Sequence, residues 1–409
     1  MDFHPSRISG LERLNNFLPR AGRQYADTRN HDYGPEDRTN VSVLSPYISR
    51  RLITEGEVVQ QVLTQHSANA AEKFIQEVLW RTYWKGWLEM RPSVWLDYLT
   101  TLQKDCERME KFADSRSQYA QAVAGETGID CFDEWSRELV ENGYLHNHAR
   151  MWFASIWIFT LNLPWTLGAD FFYRHLLDAD PASNTLSWRW VAGLQTKGKN
   201  YTATASNIRK FTNGRFHPGH QLANNPEPLH EDNEYPRGPY DPGQNLFRNT
   251  DEYGLLVFQE DLTPELSELQ SYKFKAAAGC GMKWVAEQYD LAQSVRDFSD
   301  QAMLDCQKRV QEHFGISFEL LEGNDPAAEV VDWCQREQLA GVVTLKPCQG
   351  PWREVAFQIN ASLKQANLDT TEVRRNWDKE LHPHARAGYF GFKKQIPKTL
   401  RTLDTLVPN

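Results

Sequence analysis

The sequence predicts a chain in two parts, an all-helical first half and a small α/β half built on a parallel sheet. Three observations carry that expectation. From Glu72 to Glu89, apolar Phe74, Val78, Leu79, Tyr83 and Leu88 recur near the 3.6-residue period, with little strand signal around them. Between Phe216 and Gly254 six of the 20 prolines fall among acidic and amide residues, the texture of a crossing rather than of a folded element. Beyond Gly254, short apolar runs alternate with amphipathic stretches, and the order strand, helix, strand implies parallel pairing with crossover helices.

In chain order, the Glu72–Glu89 helix stops at Arg91-Pro92. Glu134–Asn142 and Ala149–Leu161 follow, the second apolar nearly all round and therefore central. In the second half, Leu255–Phe258 reads as a short buried strand. Asp300–His313 is a helix with Met303, Cys306 and Val310 on one face. Ile316–Leu320 alternates as a strand, and Asp325-Pro326 opens a helix with a cap and a first-turn proline. Gly341–Leu345 is a further strand and Trp352–Gln365 a further helix. The expected organisation is a helical domain over 1–216, a linker over 217–254 and an α/β domain over 255–409.

Composition excludes several classes. With 409 residues, 40% of them hydrophobic and 24% charged, the chain is globular and long enough for more than one core. A net charge of −9 confines nucleic-acid binding to a local basic patch. The six cysteines show no C-x-x-C spacing and no finger-type histidines, so neither a disulfide scaffold nor a metal site is expected, and a reducing compartment is. Met1–Pro5 has no apolar leader, and the longest apolar run, Met151–Leu163, is too short to cross a bilayer. The expectation is a cytoplasmic protein with no membrane partner. Dinucleotide, P-loop, hydrolase-elbow and zincin motifs are missing. The 14 tryptophans suit a flat ligand or electron movement through rings, and equally a tryptophan-rich core.

Four stretches of the helical half carry chemistry. Tyr25-x-x-x-Arg29 with Ser42, Leu44, Ser45 and Pro46 clusters hydroxyls and amides at a helix entry, which suits an anion and also suits an ordinary cap. Glu77, Trp80, Arg81 and Trp84 sit at i, i+3, i+4 and i+7, so an acid, two indoles and a guanidinium share one helix face. Gly143 to Met151 contains His146, Asn147, His148 and Arg150. Asp178-Ala179-Asp180-Pro181 leads to Asn184, Trp188 and Trp190.

In this order, from about Tyr25 to Arg209, the four stretches resemble the flavin-binding helical domain of the DNA photolyase/cryptochrome family. Thr127-Gly128-Ile129-Asp130 to Asp133 matches a further family segment. The resemblance implies FAD held in a helical bundle. Tyr25, Ser42, Leu44 and Ser45 would hold the diphosphate side, and Phe74 would line the pocket. Asp178 would pair with Arg150, Asp180 would meet the ring edge, and Asn184 would face flavin N5. For a flipped pyrimidine dimer, Glu77 would hydrogen-bond its carbonyl and Trp80 would stack on its bases, with Arg81, Asn147 and Met151 beside them. The tract His146–Met151 looks closer to the cyclobutane-dimer type than to the (6-4) type. His148 departs from the family's phosphate-binding arginine, and Arg29 with Lys197, Lys199, Arg209 and Lys210 could form a compensating rim. Trp188 and Trp165 match the family's proximal and middle electron-relay tryptophans, while Trp84, Trp87, Trp135 or Trp157 could be the distal one, or all four could be core. Two cysteines in the helical half are too few for an iron–sulfur cluster.

The family usually carries its α/β antenna domain first. Here Leu255–Leu262 resembles its opening strand and Gly388–Phe392 its close, so the resemblance implies a circular permutation, with any antenna chromophore unidentified. The implied function is FAD-dependent, light-driven repair of cyclobutane pyrimidine dimers in UV-damaged DNA by a deoxyribodipyrimidine photolyase. The alternatives are a cryptochrome-like blue-light photoreceptor acting on a signalling partner, and a flavoprotein that has lost light chemistry.

Overall fold

A computed structural model describes residues 2–244 and 252–407. The helical half contains α1 (Arg7–Phe17), α2 (Arg23–Thr28), α3 (Ser45–Ser49), α4 (Glu55–Gln65), α5 (Glu72–Glu89) and α6 (Pro92–Lys111). It continues through α7 (Ala113–Ala124), α8 (Asp130–Asn142), α9 (Asn147–Ser155), α10 (Trp165–His175), α11 (Pro181–Ala192) and α12 (Ala205–Phe211). Caps fix the ends. Thr54 and Glu57 form a reciprocal capping box on α4, and Asp180 accepts from the Ser183 N–H at 2.8 Å to open α11. The helix expected over Ala149–Leu161 is α9 followed by a π turn over Ile156–Thr160.

α5 is the central rod, with Phe74, Val78, Leu79, Tyr83 and Leu88 all buried. Around it the core is largely indole and phenyl. Trp135 stacks on Trp152 with centroids 5.4 Å apart, and Phe132 on Phe153 at 4.2 Å. A Cβ at Gly168 would lie 2.3 Å from the Trp188 ring, so α10 reaches that ring only with glycine there.

From Thr212 to Gln244 the chain forms neither helix nor regular strand. It is tied down nonetheless. The Leu229 N–H donates to Ala192 O at 2.9 Å, that of Gly238 to Met90 O at 2.8 Å, and Glu231 pairs with Arg189.

The second half is a parallel five-stranded sheet of order β3-β2-β1-β4-β5. Its strands are β1 (Tyr253–Val257), β2 (Ala276–Cys280), β3 (Phe318–Leu321), β4 (Gly341–Leu345) and β5 (Asp369–Val373). α13 (Met282–Gln288), α14 (Gln293–Phe314), α15 (Pro326–Arg336) and α16 (Pro351–Gln365) flank them. β1, β3 and β4 agree with the apolar runs. β2 and β5 were not expected. Ala276-Ala277-Ala278-Gly279-Cys280 has poor strand propensity, yet it is buried throughout, and a Cβ on Gly279 would stand 2.8 Å from Met303 Sδ on α14. β5, Asp-Thr-Thr-Glu-Val, is a polar edge strand.

After β5 the chain returns to the helical half as α17 (Asn376–Leu381), α18 (Tyr389–Lys393), α19 (Ile396–Arg401) and α20 (Leu403–Leu406). A Cβ on Gly86 of α5 would lie 2.8 Å from His382 Cα, so glycine admits this segment. Both ends of the described chain dock on α4. Arg7 pairs with Glu57, and Val407 packs against Gly56.

Buried charge joins the halves. Arg51 meets Asp378 at 2.7 and 3.0 Å, Asp261 at 3.1 Å and Glu55 at 3.3 Å. Arg375 holds Asp261 at 2.6 Å, Lys85 meets Glu260 at 2.9 Å, and Arg374 pairs with Glu89. Cys348, Asp378 and His382 bring potential ligand atoms within 4.8 Å of one another, but Asp378 is already engaged by Arg51. No described helix is long and apolar enough to cross a membrane.

Removing one partner of such a buried set strands the rest. Arg51→Ala should lower unfolding stability by about 3–5 kcal/mol, read by denaturant titration; a loss under ~1 kcal/mol, typical of exposed pairs, would refute the role. Against the penalty of burial, arginines hold Asp261 and Asp378 below the usual carboxylate range. Their contribution is therefore complete above a pKa of about 4 and is lost as pH falls through the lowered folded values. Melting followed down from neutral pH should show that loss in wild type and a smaller one in Arg51→Ala.

Candidate functional site

The turn between α10 and α11 builds the centre of the site. Ala179 sits at φ 36°, in the left-handed region that a Cβ resists, between two buried acids. Asp178 accepts from Arg150 Nη1 at 3.0 Å and lies 3.9 Å from Arg81 Nη2. Asp180 pairs with Arg81 through one oxygen and caps α11 through the other. Against burial, Arg81 and Lys85 keep Asp180 below its ordinary pKa. Two carboxylates and two guanidiniums thus neutralise one another away from water, the condition under which buried charge is tolerated.

The sequence expectation of an Asp178–Arg150 pair corresponds to an observed contact. Arg81, expected beside the flipped bases together with Asn147, pairs with buried Asp180, and Asn147 is exposed on the first turn of α9. Pairing with Arg81 is what lets the Asp180 charge be buried.

Along α5, Glu77 is half-buried and accepts from Arg29 Nη1 at 2.6 Å. Burial pushes its carboxyl above the ordinary value although Arg29 and Lys73 pull it down. One turn on, Trp80 is half-buried and stacks on Tyr389 of α18, with centroids 3.5 Å apart and 10° between the planes.

Tyr25 of α2 lies edge-on to Phe74 at 5.1 Å, and both are buried. Ser42 and Ser45 flank the start of α3, with buried Leu44 between them and Val43 at φ 53°. Ser45 Oγ and Ser183 Oγ are buried with no hydrogen-bond partner among the described residues. Asn184 donates from Nδ2 to Ala169 O at 2.6 Å, which orients the amide and leaves Oδ1 as its accepting end. A cleft of about 400 Å³ opens between α1 and the loop before α3, lined by Arg13, Arg20, Ser42 and Val43 among others.

His148 is not a free surface cation. Its ring stacks on Trp152 at 4.1 Å, with Nδ1 2.9 Å from Asn30 O and Nε2 3.3 Å from Tyr201 Oη, and burial lowers its pKa. Met151 is half-buried. Trp188 is buried with an unpaired Nε1, and its aromatic neighbours are Phe172 at 5.1 Å, Trp157 at 6.2 Å and Phe153 at 6.4 Å. Trp157 in turn lies 5.9 Å from half-buried Tyr119. Trp165 stands beside Tyr98 at 5.6 Å. Of the four distal candidates, Trp84 lies beside Trp80, Trp135 is stacked in the core, Trp87 sits under Arg91, and Trp157 is the one beside Trp188.

Sequence reasoning missed two residues. Tyr144 stands under the guanidiniums of Arg38 at 5.9 Å and Arg150 at 5.6 Å; its place in Gly143–Met151 was the available signal. Tyr389 reaches Trp80 from the far end of the chain, and no local pattern announces it.

These residues fit a flavin: unpaired hydroxyls, an oriented amide acceptor, aromatic walls and a neutral set of buried acids and guanidiniums. The chain is similar to known proteins over about half its length. The crystal structure of a bacterial class III photolyase from Agrobacterium tumefaciens aligns with TM-score 0.41 and 25% identity over 51% of this chain and 45% of that one. A cryptochrome DASH of Ostreococcus tauri is 28% identical over 202 residues, 47% of this chain and 35% of that protein. A deoxyribodipyrimidine photo-lyase of Agrobacterium fabrum is 30% identical over 196 residues, 46% of this chain and 38% of that protein. The chain spans well under half the length of the curated relatives it matches. Residues 74–216 match the family described as the FAD binding domain of DNA photolyase, from within α5 to just past α12. Through this helical half, the chain is similar to the photolyase/cryptochrome family.

Proposed function

We propose that the chain binds FAD in its helical half and repairs cyclobutane pyrimidine dimers in DNA under blue light. The observation that carries this reading is the α5 face. A carboxyl with a raised pKa and a half-exposed indole stand one turn apart, directly before the arginine that holds both site acids. FAD bound there would, once reduced and excited, supply the electron that opens the cyclobutane ring and would recover it once the two pyrimidines are restored. The chain's residues do the rest. Arg150 and Arg81 hold Asp178 and Asp180 in place. Asn184 offers Oδ1 to a protonated ring nitrogen. Ser42, Ser45 and the adjoining cleft take the diphosphate side, with Tyr25 and Phe74 as wall. Glu77, held in place by Arg29 and with its carboxyl pushed upward by burial, hydrogen-bonds a pyrimidine carbonyl. Trp80 provides the stacking surface, with Asn147 and Met151 nearby. Trp188, with Trp165 or Trp157, conducts the reducing electron inward.

The α/β half is, in the same proposal, the family's antenna-type domain moved to follow the helical one. A parallel sheet whose order reverses between β1 and β4 supports this. The crevice at that reversal holds only about 10 Å³ among Arg51, Glu260, Asp261, Lys346 and Cys348.

One observation favours a photoreceptor instead. His148 stands where dimer-repairing relatives are expected to carry a phosphate-binding arginine, and its ring is internally committed.

Purified protein with photoreduced flavin should restore thymine absorbance in an oligothymidine containing cyclobutane dimers under blue light, with turnover. Bound, photoreducible flavin without recovery would transfer the reading to sensing. A second expectation concerns the acid pair: Asp178→Ala should lower FAD occupancy in the flavin spectrum by stranding Arg150, and full occupancy would refute that pairing. Third, Glu77→Ala should reduce repair yield roughly 10²-fold or more with the flavin spectrum intact; an unchanged yield would remove Glu77 from the mechanism.

A further inference from the structure

Between Glu380 and Asp404 the chain carries no acidic residue and five cations, Arg386, Lys393, Lys394, Lys398 and Arg401, in a protein whose net charge is −9. This run is the returning tail. It is strapped to α5 at the Trp80 face: Tyr389 stacks on Trp80 and donates its hydroxyl to Gln76 O at 2.9 Å, Tyr83 donates to Ala387 O at 2.7 Å, and Lys393 pairs with Glu72 at 2.9 Å. Tyr389 is only 7% exposed, so it backs the Trp80 ring from within and leaves that indole half-exposed. The next residue, Phe390, is 83% exposed, the most exposed large apolar side chain among the described residues. Lys394 follows four positions later and is exposed, which places it on the same side of α18.

We infer that the tail over Arg386–Lys394 is a second DNA-contact element, placed by the Tyr389–Trp80 stack beside the lesion platform. Lys394 and Arg386 meet the phosphate backbone, and Phe390 packs against bases unstacked next to the flipped dimer. This rests on the repair reading and extends it, because the tail brings to the Trp80 face cations and an exposed ring from a separate part of the chain. The chemistry is that of backbone-tracking cations with an apolar wedge, which binds nucleic acid by charge and inserts where stacking is already broken. The occupant is a duplex containing a pyrimidine dimer, since an exposed phenyl inside an acid-free basic run complements a polyanion with accessible base faces and repels basic partners. Tyr389 is then a positioning residue, fixing the angle of Trp80 and the place of Phe390 together.

The test uses the full-length protein with flavin bound and two surface substitutions, Lys394→Glu and Phe390→Ser, each first checked for unchanged melting. Binding is measured on dimer-containing and undamaged duplexes across a salt series. Lys394→Glu should weaken both and reduce the slope of log K against log salt by about one phosphate's worth, roughly 0.9. Phe390→Ser should lower affinity for the dimer-containing duplex by about tenfold, near the low end for one stacking ring, and leave undamaged duplex little changed. Variants that bind like the wild type, on a wild type that does bind, overturn the tail's role and leave the repair reading standing. Tighter binding by Phe390→Ser overturns it too, because the tail would then obstruct the platform. A wild type that binds neither duplex overturns both.

Discussion

The fold depends on one guanidinium. Arg51, just before α4, is surrounded by carboxylates from three separate parts of the chain: Glu55 on α4, Asp261 after β1 and Asp378 on α17. Each would be prohibitively placed alone in a dry interior, and the arginine would be too. Together they are tolerable only in this geometry, so helical half, sheet and returning tail are fixed with respect to one another. Apolar contact would hold such surfaces together but would permit sliding, whereas a many-partner guanidinium has one satisfactory arrangement.

The same logic runs along α5. Every fourth residue from Glu77 is charged, and each finds a different partner: Glu77 takes Arg29, Arg81 takes Asp180, Lys85 takes Glu260, and Glu89 takes Arg374. The first two belong to the candidate site and the last two to the contact with the sheet. One helix stripe therefore carries both the chemistry and the domain interface. A helix is stiff over four turns, so the position of Arg81 against the acids is set partly by Lys85 and Glu89 gripping the other half of the molecule.

The parts of the helical half that were legible carry their information locally. The 3.6-residue period and the Arg91-Pro92 stop marked Glu72–Glu89, and in the second half Asp325-Pro326 marked the start of α15. In the same way Asp178, Arg150 and Glu77 were reachable because motif order carries them. What was illegible is non-local. Arg81 shares a face with Glu77, but which acid it chooses depends on a turn about a hundred residues later. β2 was missed because burial on a tightly packed sheet selects Ala and Gly over strand-forming residues. Nothing near Tyr389 announces Trp80, since their stack joins segments that meet only after the sheet has formed. The crossing over 217–244 was recognised as unstructured, but its hydrogen bonds to Ala192 and Met90 depend on surfaces invisible in its own composition.

The docking of both chain ends on α4 has a topological consequence. With Arg7 on Glu57 and Val407 against Gly56, the described chain is nearly a closed ring whose longest arc without helix or regular strand is the proline-rich crossing. Opening the backbone in that arc and bridging the two docked segments would keep the strand pairing and the packing of α5, and would cost only the crossing's own ties, those to Arg189, Ala192 and Met90 among them.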